Sequence, residues 1–298
     1  MADNLYDGPI VDPHHHLWDR SLHRHAWLEG ASDPALADQL PADYHAAVSG
    51  HNVVASVHVE ANWDPANPYG EVEWLDGLDR SGGIAARYVA GANLADPKVE
   101  ALLARYAAHP RVVGIRDILS WHPDPAKRFV DQRERMNDPS WQRGLACLAG
   151  HSLSFDLMIT PWQMDSAARL VADFPETFFV LNHCGSPIDR DREGMAHWRR
   201  GLRELARAPN LALKISDPVA YDPDWTLESL RPVVLDCIDA FTPAQCLFAS
   251  DYPVVALHAS FGAIYDAFKT IVSGFSDSEQ RAMFEANARA AYRLPDEF

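Results

Sequence analysis

Cysteine is scarce in this chain of 298 residues. The four present, Cys147, Cys184, Cys237 and Cys246, are not spaced as a zinc knuckle or a C-x-x-C pair. A chain this long buries a core that needs no covalent staples, so a disulfide scaffold is excluded and reduced thiols are expected. Long apolar runs are also missing; none approaches the roughly 18 residues of a membrane-spanning helix. Met1-Ala2-Asp3-Asn4 lacks the basic-then-apolar order of a signal peptide, and a cytoplasmic protein is the expectation. Basic residues are few, with 26 Lys+Arg against 42 Asp+Glu and a formal charge of −16. Such a surface repels phosphate backbones and anionic lipid, so neither nucleic acid nor membrane is expected as a partner. There is no G-x-S-x-G elbow, P-loop or H-E-x-x-H helix. What is there is globular: 47% hydrophobic residues, 23% charged, and no low-complexity tract or Gly/Ser linker. Residues 1–298 therefore read as a single domain.

Eight short apolar runs of strand length recur, each bounded by turn residues. They are Ile10-Val11, Val53 to Val59, Ile84 to Leu94, Val112 to Leu119, Phe155 to Ile159, Phe178 to Leu181, Leu211 to Ile215 and Leu247 to Ala249. Helical patterns lie between them. Val99, Leu102, Leu103 and Tyr106 form one apolar face, with Asp96 as N-cap and Pro97 at the first helical position. Asp138-Pro139, Thr160-Pro161 and Thr242-Pro243 give similar start signals, and Trp198 to Leu205 and Leu230 to Ile238 are amphipathic. Strand and helix in alternation predict parallel pairing, most economically an α/β fold with one closed (β/α)8 TIM barrel. The competitor is an open doubly wound sheet, but no G-x-G-x-x-G follows the first strand. Leu17 to Leu40 and Ser120 to Asn137 are long, polar and aromatic, and read as loops over a site.

Polar and ionisable residues gather where these strands end: His14-His15-His16, Glu60, Asn62, Asn93, Arg116-Asp117, Asn182-His183, Lys214, Ser216 and Ser250-Asp251. In a barrel those ends meet at one mouth, where active sites sit. Alternation puts Asp12, His14 and His16 on one face and His15 on the other, so two imidazoles can reach one cation. The competing account is a His-rich turn. Asp251, on the face of Leu247 and Ala249, can ligate a metal or take a proton from water, or merely cap a helix. His183 reads as a third ligand or a donor to a substrate carbonyl, against a buried structural histidine, while Cys184 points into the core. Arg116 can clamp an anionic or polar substrate group or form an inter-strand ion pair. Glu60 can ligate, orient a histidine or bind substrate. Trp121, with Trp18, Trp27 and Trp63, can line a sugar-stacking pocket or pack its own loop. Lys214 stays ambiguous, and His23, His25 and His122 read as loop residues.

Val11-Asp12-Pro13-His14-His15-His16-Leu17-Trp18-Asp19, Gly114-Ile115-Arg116, Asn182-His183-Cys184-Gly185 and Phe248-Ala249-Ser250-Asp251-Tyr252-Pro253-Val254 resemble strands one, four, six and eight of the amidohydrolase superfamily. The tail Asn287 to Leu294 is similar to its closing helix. The resemblance is narrower to the branch holding sugar lactonases and 2-pyrone-4,6-dicarboxylate lactonase. It implies a (β/α)8 barrel and roles at a metal or catalytic centre for His14, His16, His183 and Asp251. Strand five, Ser154 to Thr160, has no histidine where binuclear members use one, so the resemblance implies one divalent ion, zinc or manganese, or a metal-independent centre. Three functions follow as expectations: hydrolysis of small lactones with Asp251 as base, His183 at the carbonyl and Arg116 as anchor; metal-dependent non-oxidative decarboxylation; or a non-catalytic barrel binding a small ligand. The partner is a small molecule in each case, and a homo-oligomer remains open.

Overall fold

A computed structural model describes residues 5–295. Eight strands run parallel in chain order: β1 (Ile10–His15), β2 (Val53–Val59), β3 (Arg87–Gly91), β4 (Val112–Arg116), β5 (Ser154–Leu157), β6 (Phe179–Leu181), β7 (Leu211–Ser216) and β8 (Cys246–Ala249). The ring closes at its C-terminal end, where the Asp251 N–H donates to the His14 carbonyl at 2.8 Å and the His16 N–H to the Tyr252 carbonyl at 2.7 Å. Sequential order with closure removes the open doubly wound sheet. Helices α1 (Pro41–Ala47), α2 (Gly70–Asp76), α3 (Val99–Ala107), α4 (Pro139–Gly150), α5 (Met164–Asp173), α6 (Arg192–Leu205) and α7 (Leu227–Phe241) return the chain between strands, and α8 (Phe261–Ile271), α9 (Asp277–Arg281) and α10 (Asn287–Ala291) follow the last one.

The hydrophobic pattern splits into two cores. Val11, Val57, Val59, Val89, Val113, Val180 and Leu247 fill the barrel interior. Tyr44, Leu103, Trp141, Phe155, Trp198, Val233, Cys184 and Phe268 pack between strands and helices. Branched side chains inside and larger ones outside are what a closed, twisted sheet demands. Two start signals resolve differently from expectation. Asp96 opens a turn, accepting from the Lys98 N–H at 2.7 Å, and α3 begins only at Val99. Thr242-Pro243 opens no helix; Thr242, at φ 63°, terminates α7 just before β8. Asp138-Pro139 does open α4, and Asp138 accepts from the Ser140 N–H. The third and fourth strands are shorter than their apolar runs, because β3 and β4 give way to the mouth loops at Gly91 and Arg116. Among the described residues no helix is long and apolar enough to cross a membrane.

Candidate active site

The mouth is assembled from strand ends, and backbone irregularities aim its side chains. β1 advances three residues, Asp12 to His15, while β2 advances two, Ser56 to His58. That one-residue bulge breaks strict alternation. His14 and His16 therefore face the barrel axis, but Asp12 does not share their face as alternation predicts. It points outward, accepting from the Ser250 N–H (2.9 Å), the Ser250 hydroxyl (2.6 Å) and the Tyr44 hydroxyl of α1 (2.9 Å). Asp12 thus pins β8 against β1 from behind. His15 also lies outward, 3.0 Å from Ser56 Oγ and against the Tyr44 ring.

One carboxylate oxygen is the hub. Asp251 Oδ1 lies 3.1 Å from His14 Nε2, 3.2 Å from His16 Nε2 and 4.0 Å from His183 Nε2. All four side chains are buried. Three of the strand-end acids and bases sit in the left-handed backbone region: His183 (φ 50°), Asp217 (φ 42°) and Asp251 (φ 63°). Each such residue costs about 1–3 kcal/mol, so their concentration at one mouth marks geometry held in place by the surrounding fold. Ser216 Oγ secures His183 twice, through its backbone N–H (3.2 Å) and its Nδ1 (3.0 Å).

Burial sets the electrostatics. Burial, with Lys214 and the neighbouring imidazoles, holds His14 well below the usual histidine range. His183 is pushed down to about 4 by burial, against the attraction of Asp251. Burial alone would raise Asp251, but His183 and His16 hold it below the usual carboxylate range. Asp217 is buried beside Asp251 and is driven well above that range by burial and by the neighbouring carboxylate. The two neighbouring acids are thus shifted in opposite directions, the pattern that separates a proton-holding from an ionised carboxyl. Asp217 escaped the reading of the sequence, although Ser216-Asp217-Pro218 ends β7 as Ser250-Asp251 ends β8.

The donor set suits a metal ion. His14, His183 and Asp251 each offer a ligand atom, all within 4.8 Å of one another. His16 Nδ1 lies 2.7 Å from the Val59 carbonyl, which can only accept, so this nitrogen carries a proton and Nε2 is the atom turned to Asp251 Oδ1. A backbone partner on the far nitrogen is how metal-binding imidazoles are oriented. Nitrogen and oxygen donors of this kind accommodate zinc or manganese.

The remaining predicted residues fall in different places. Arg116 forms the ion pair of its two readings: its Nε and NH2 are engaged by the Glu60 carboxylate (2.6 Å) and carbonyl (2.5 Å), while NH1 lies 3.5 Å from His14 Nε2. Glu60 is a partner of Arg116 and contacts no histidine of the hub; burial would raise it, but Arg116 and the Asn62 N–H hold it below the usual range. The Trp121 backbone N–H donates to Gln163 Oε1, and its ring lies beneath the Arg133 guanidinium. Lys214 is fully buried below the hub, with Nζ 2.5 Å from Asp156 Oδ2 and 3.4 Å from His14 Nδ1. Asp156 occupies the strand-five position that carries no histidine, and also receives the Tyr292 hydroxyl at 2.9 Å and the Asn182 amide at 3.0 Å.

Known proteins resemble this chain along nearly its whole length. The profile of the amidohydrolase family matches residues 11–294. An uncharacterised protein of Sinorhizobium fredii is 38% identical, covering 97% of this chain and 100% of its own. An L-fucono-1,5-lactonase of Burkholderia multivorans is 27% identical over 96% of each. A zinc-bound crystal structure of an amidohydrolase from Burkholderia multivorans superposes with a TM-score of 0.82 at 24% identity, covering 97% of this chain and 100% of that one.

Proposed function

This chain belongs to the amidohydrolase family, and from that premise we propose that it hydrolyses small cyclic esters, the lactones of sugar acids or dicarboxylic acids. One observation carries the reading: imidazoles from β1 and from just past β6 converge on a single oxygen of Asp251, just past β8. The lactonase name of a relative covering 96% of the chain supports it. His14, His16, His183 and Asp251 are the residues that would hold one zinc or manganese ion, which when bound would polarise the carbonyl and acidify water.

The chain's own groups supply the remaining work. Asp251, kept ionised by its imidazoles, holds the attacking water and takes its proton as the oxygen adds to the carbonyl carbon. His183 faces the oxygen on which negative charge develops. Arg116 NH1, the guanidinium nitrogen not committed to Glu60, anchors a polar substrate group. Asp217, whose carboxyl burial and Asp251 push above the usual range, resists taking up a second negative charge beside Asp251. The ring C–O bond then breaks, and Asp251 returns its proton to the leaving alkoxide. A panel of lactones followed by proton release tests this. Turnover is expected, and Asp251→Asn should lower kcat by about 10²–10⁴, the range for a lost general base. A kcat unchanged by that substitution would overturn the mechanism.

A further inference from the structure

A cavity of about 400 Å³ opens beside the hub, at the C-terminal ends of β2, β3 and β4. We infer that it takes the hydroxyl-bearing side of a neutral, polyhydroxylated lactone and disfavours a dicarboxylate; this rests on the lactonase reading above. Glu60 and Arg116 line it, and Arg116 NH1 is 3.5 Å from His14 Nε2, so a ring whose carbonyl sits at Asp251 would reach the cavity across that pair. Gly91 lines it too, and a Cβ there would crowd Glu60 Oε2 at 3.3 Å.

The walls offer hydrogen-bonding groups beyond what the protein itself uses. Asn62 is exposed, stands at φ 55°, and only its backbone N–H is engaged, on Glu60. Asn93 gives its Oδ1 to the Ala95 N–H and to Arg135, which leaves its amide N–H groups unspent. Trp63 supplies a flat apolar wall, steadied by Trp74 at 5.8 Å and by the edge of buried His25 at 5.2 Å between ring centroids. Amides and a carboxylate around an indole match a ring with C–H faces and hydroxyl edges.

The charge argues against a dianion. Glu60, Glu71, Asp96 and Asp117 line the cavity, against Arg116 and Lys98. Arg116 is largely spent on Glu60, and Lys98 stands exposed at the rim. The nearby Arg135 is held by Asp117 at 2.9 Å. No unpaired buried cation among the described lining residues is available to desolvate a second carboxylate.

The test uses the purified full chain and three substrates: a hexonic acid δ-lactone, unsubstituted δ-valerolactone and a pyrone dicarboxylate. With two or three hydroxyl contacts at stake, each worth about tenfold, the hexonic lactone should exceed δ-valerolactone by about 100-fold in kcat/KM. Asn62→Gly keeps the left-handed backbone without strain and should cut kcat/KM for the hexonic lactone about tenfold while leaving δ-valerolactone within about twofold. Trp63→Leu, read the same way, guards against one variant that folds poorly. Parallel loss on both lactones, or a dicarboxylate turned over fastest, overturns the placement while leaving lactone hydrolysis standing. Turnover of none of the three removes the lactonase reading itself, and this inference with it.

Discussion

The buried pair beneath the hub makes a quantitative claim. Lys214 and Asp156 are both fully buried, with Nζ and Oδ2 at 2.5 Å. Lys214→Met conserves most of the side-chain volume but leaves a carboxylate stranded in the barrel interior. Breaking a buried pair in this way costs about 3–5 kcal/mol. Tyr292 and Asn182 still donate to Asp156, so the lower end, about 3 kcal/mol, is expected. Asp156→Asn removes the countercharge while its amide oxygen can still accept from Lys214 Nζ, beside the His14 Nδ1 contact at 3.4 Å and the Tyr292 ring at 4.8 Å, so the loss should again fall near the lower end, about 3 kcal/mol. The double variant removes both charges. It should be only about 1–2 kcal/mol less stable than the parent, since an uncharged replacement of a buried pair is often near neutral. Urea titration of all four proteins closes the cycle, with an unchanged m-value required for the comparison. Lactone turnover should fall in both single variants, because Lys214 abuts His14. Additive losses, with the double variant as damaged as the sum of the singles, would falsify the assignment of this energy to charge pairing.

Glu71 offers a pH test away from the hub. Burial, with Glu60 nearby, raises its carboxyl from the ordinary 4.5 to about 7. Between those values the folded state keeps a proton that the unfolded state releases, so stability falls as pH rises from about 4.5 to 7, by roughly 3 kcal/mol in all. Glu71→Gln retains acceptors for the Ala61 N–H and His58 Nε2 and should flatten that slope in urea melts at pH 5 and 7; an unaltered slope would refute it. Metal binding has a readout apart from activity: zinc added to chelator-treated protein should raise Tm, and His183→Ala should abolish the rise. No shift in the parent would contradict the ligand assignment. Chelation also separates lactone hydrolysis from the metal-dependent decarboxylation set out as its alternative: full activity without the ion excludes that chemistry.

The eight strands and the barrel were legible in the sequence because parallel strands buried on both faces must read as short apolar runs, and crossover helices must separate them. His14, His16, His183 and Asp251 were legible because ionisable residues at the end of an apolar run have few structural uses. Which way each side chain points was not. The bulge in β1 turns Asp12 outward onto Tyr44 and Ser250, and the left-handed backbones at His183 and Asp251 follow no alternation rule. Arg116 was undecided between clamp and ion pair, since the pairing with Glu60, 56 positions away at the end of another strand, exists only in the closed barrel. The Trp121 ring is covered by Arg133, a contact that only the folded loops create, and Asp217 is driven above the usual carboxylate range by burial and by Asp251, neither of which its local sequence shows. Local composition therefore specified the layers and the chemistry at hand, since burial patterns are written residue by residue. Which groups share a partner or a cavity was decided by closure of the barrel, since those relations join residues far apart in the chain, such as His14 and Asp251.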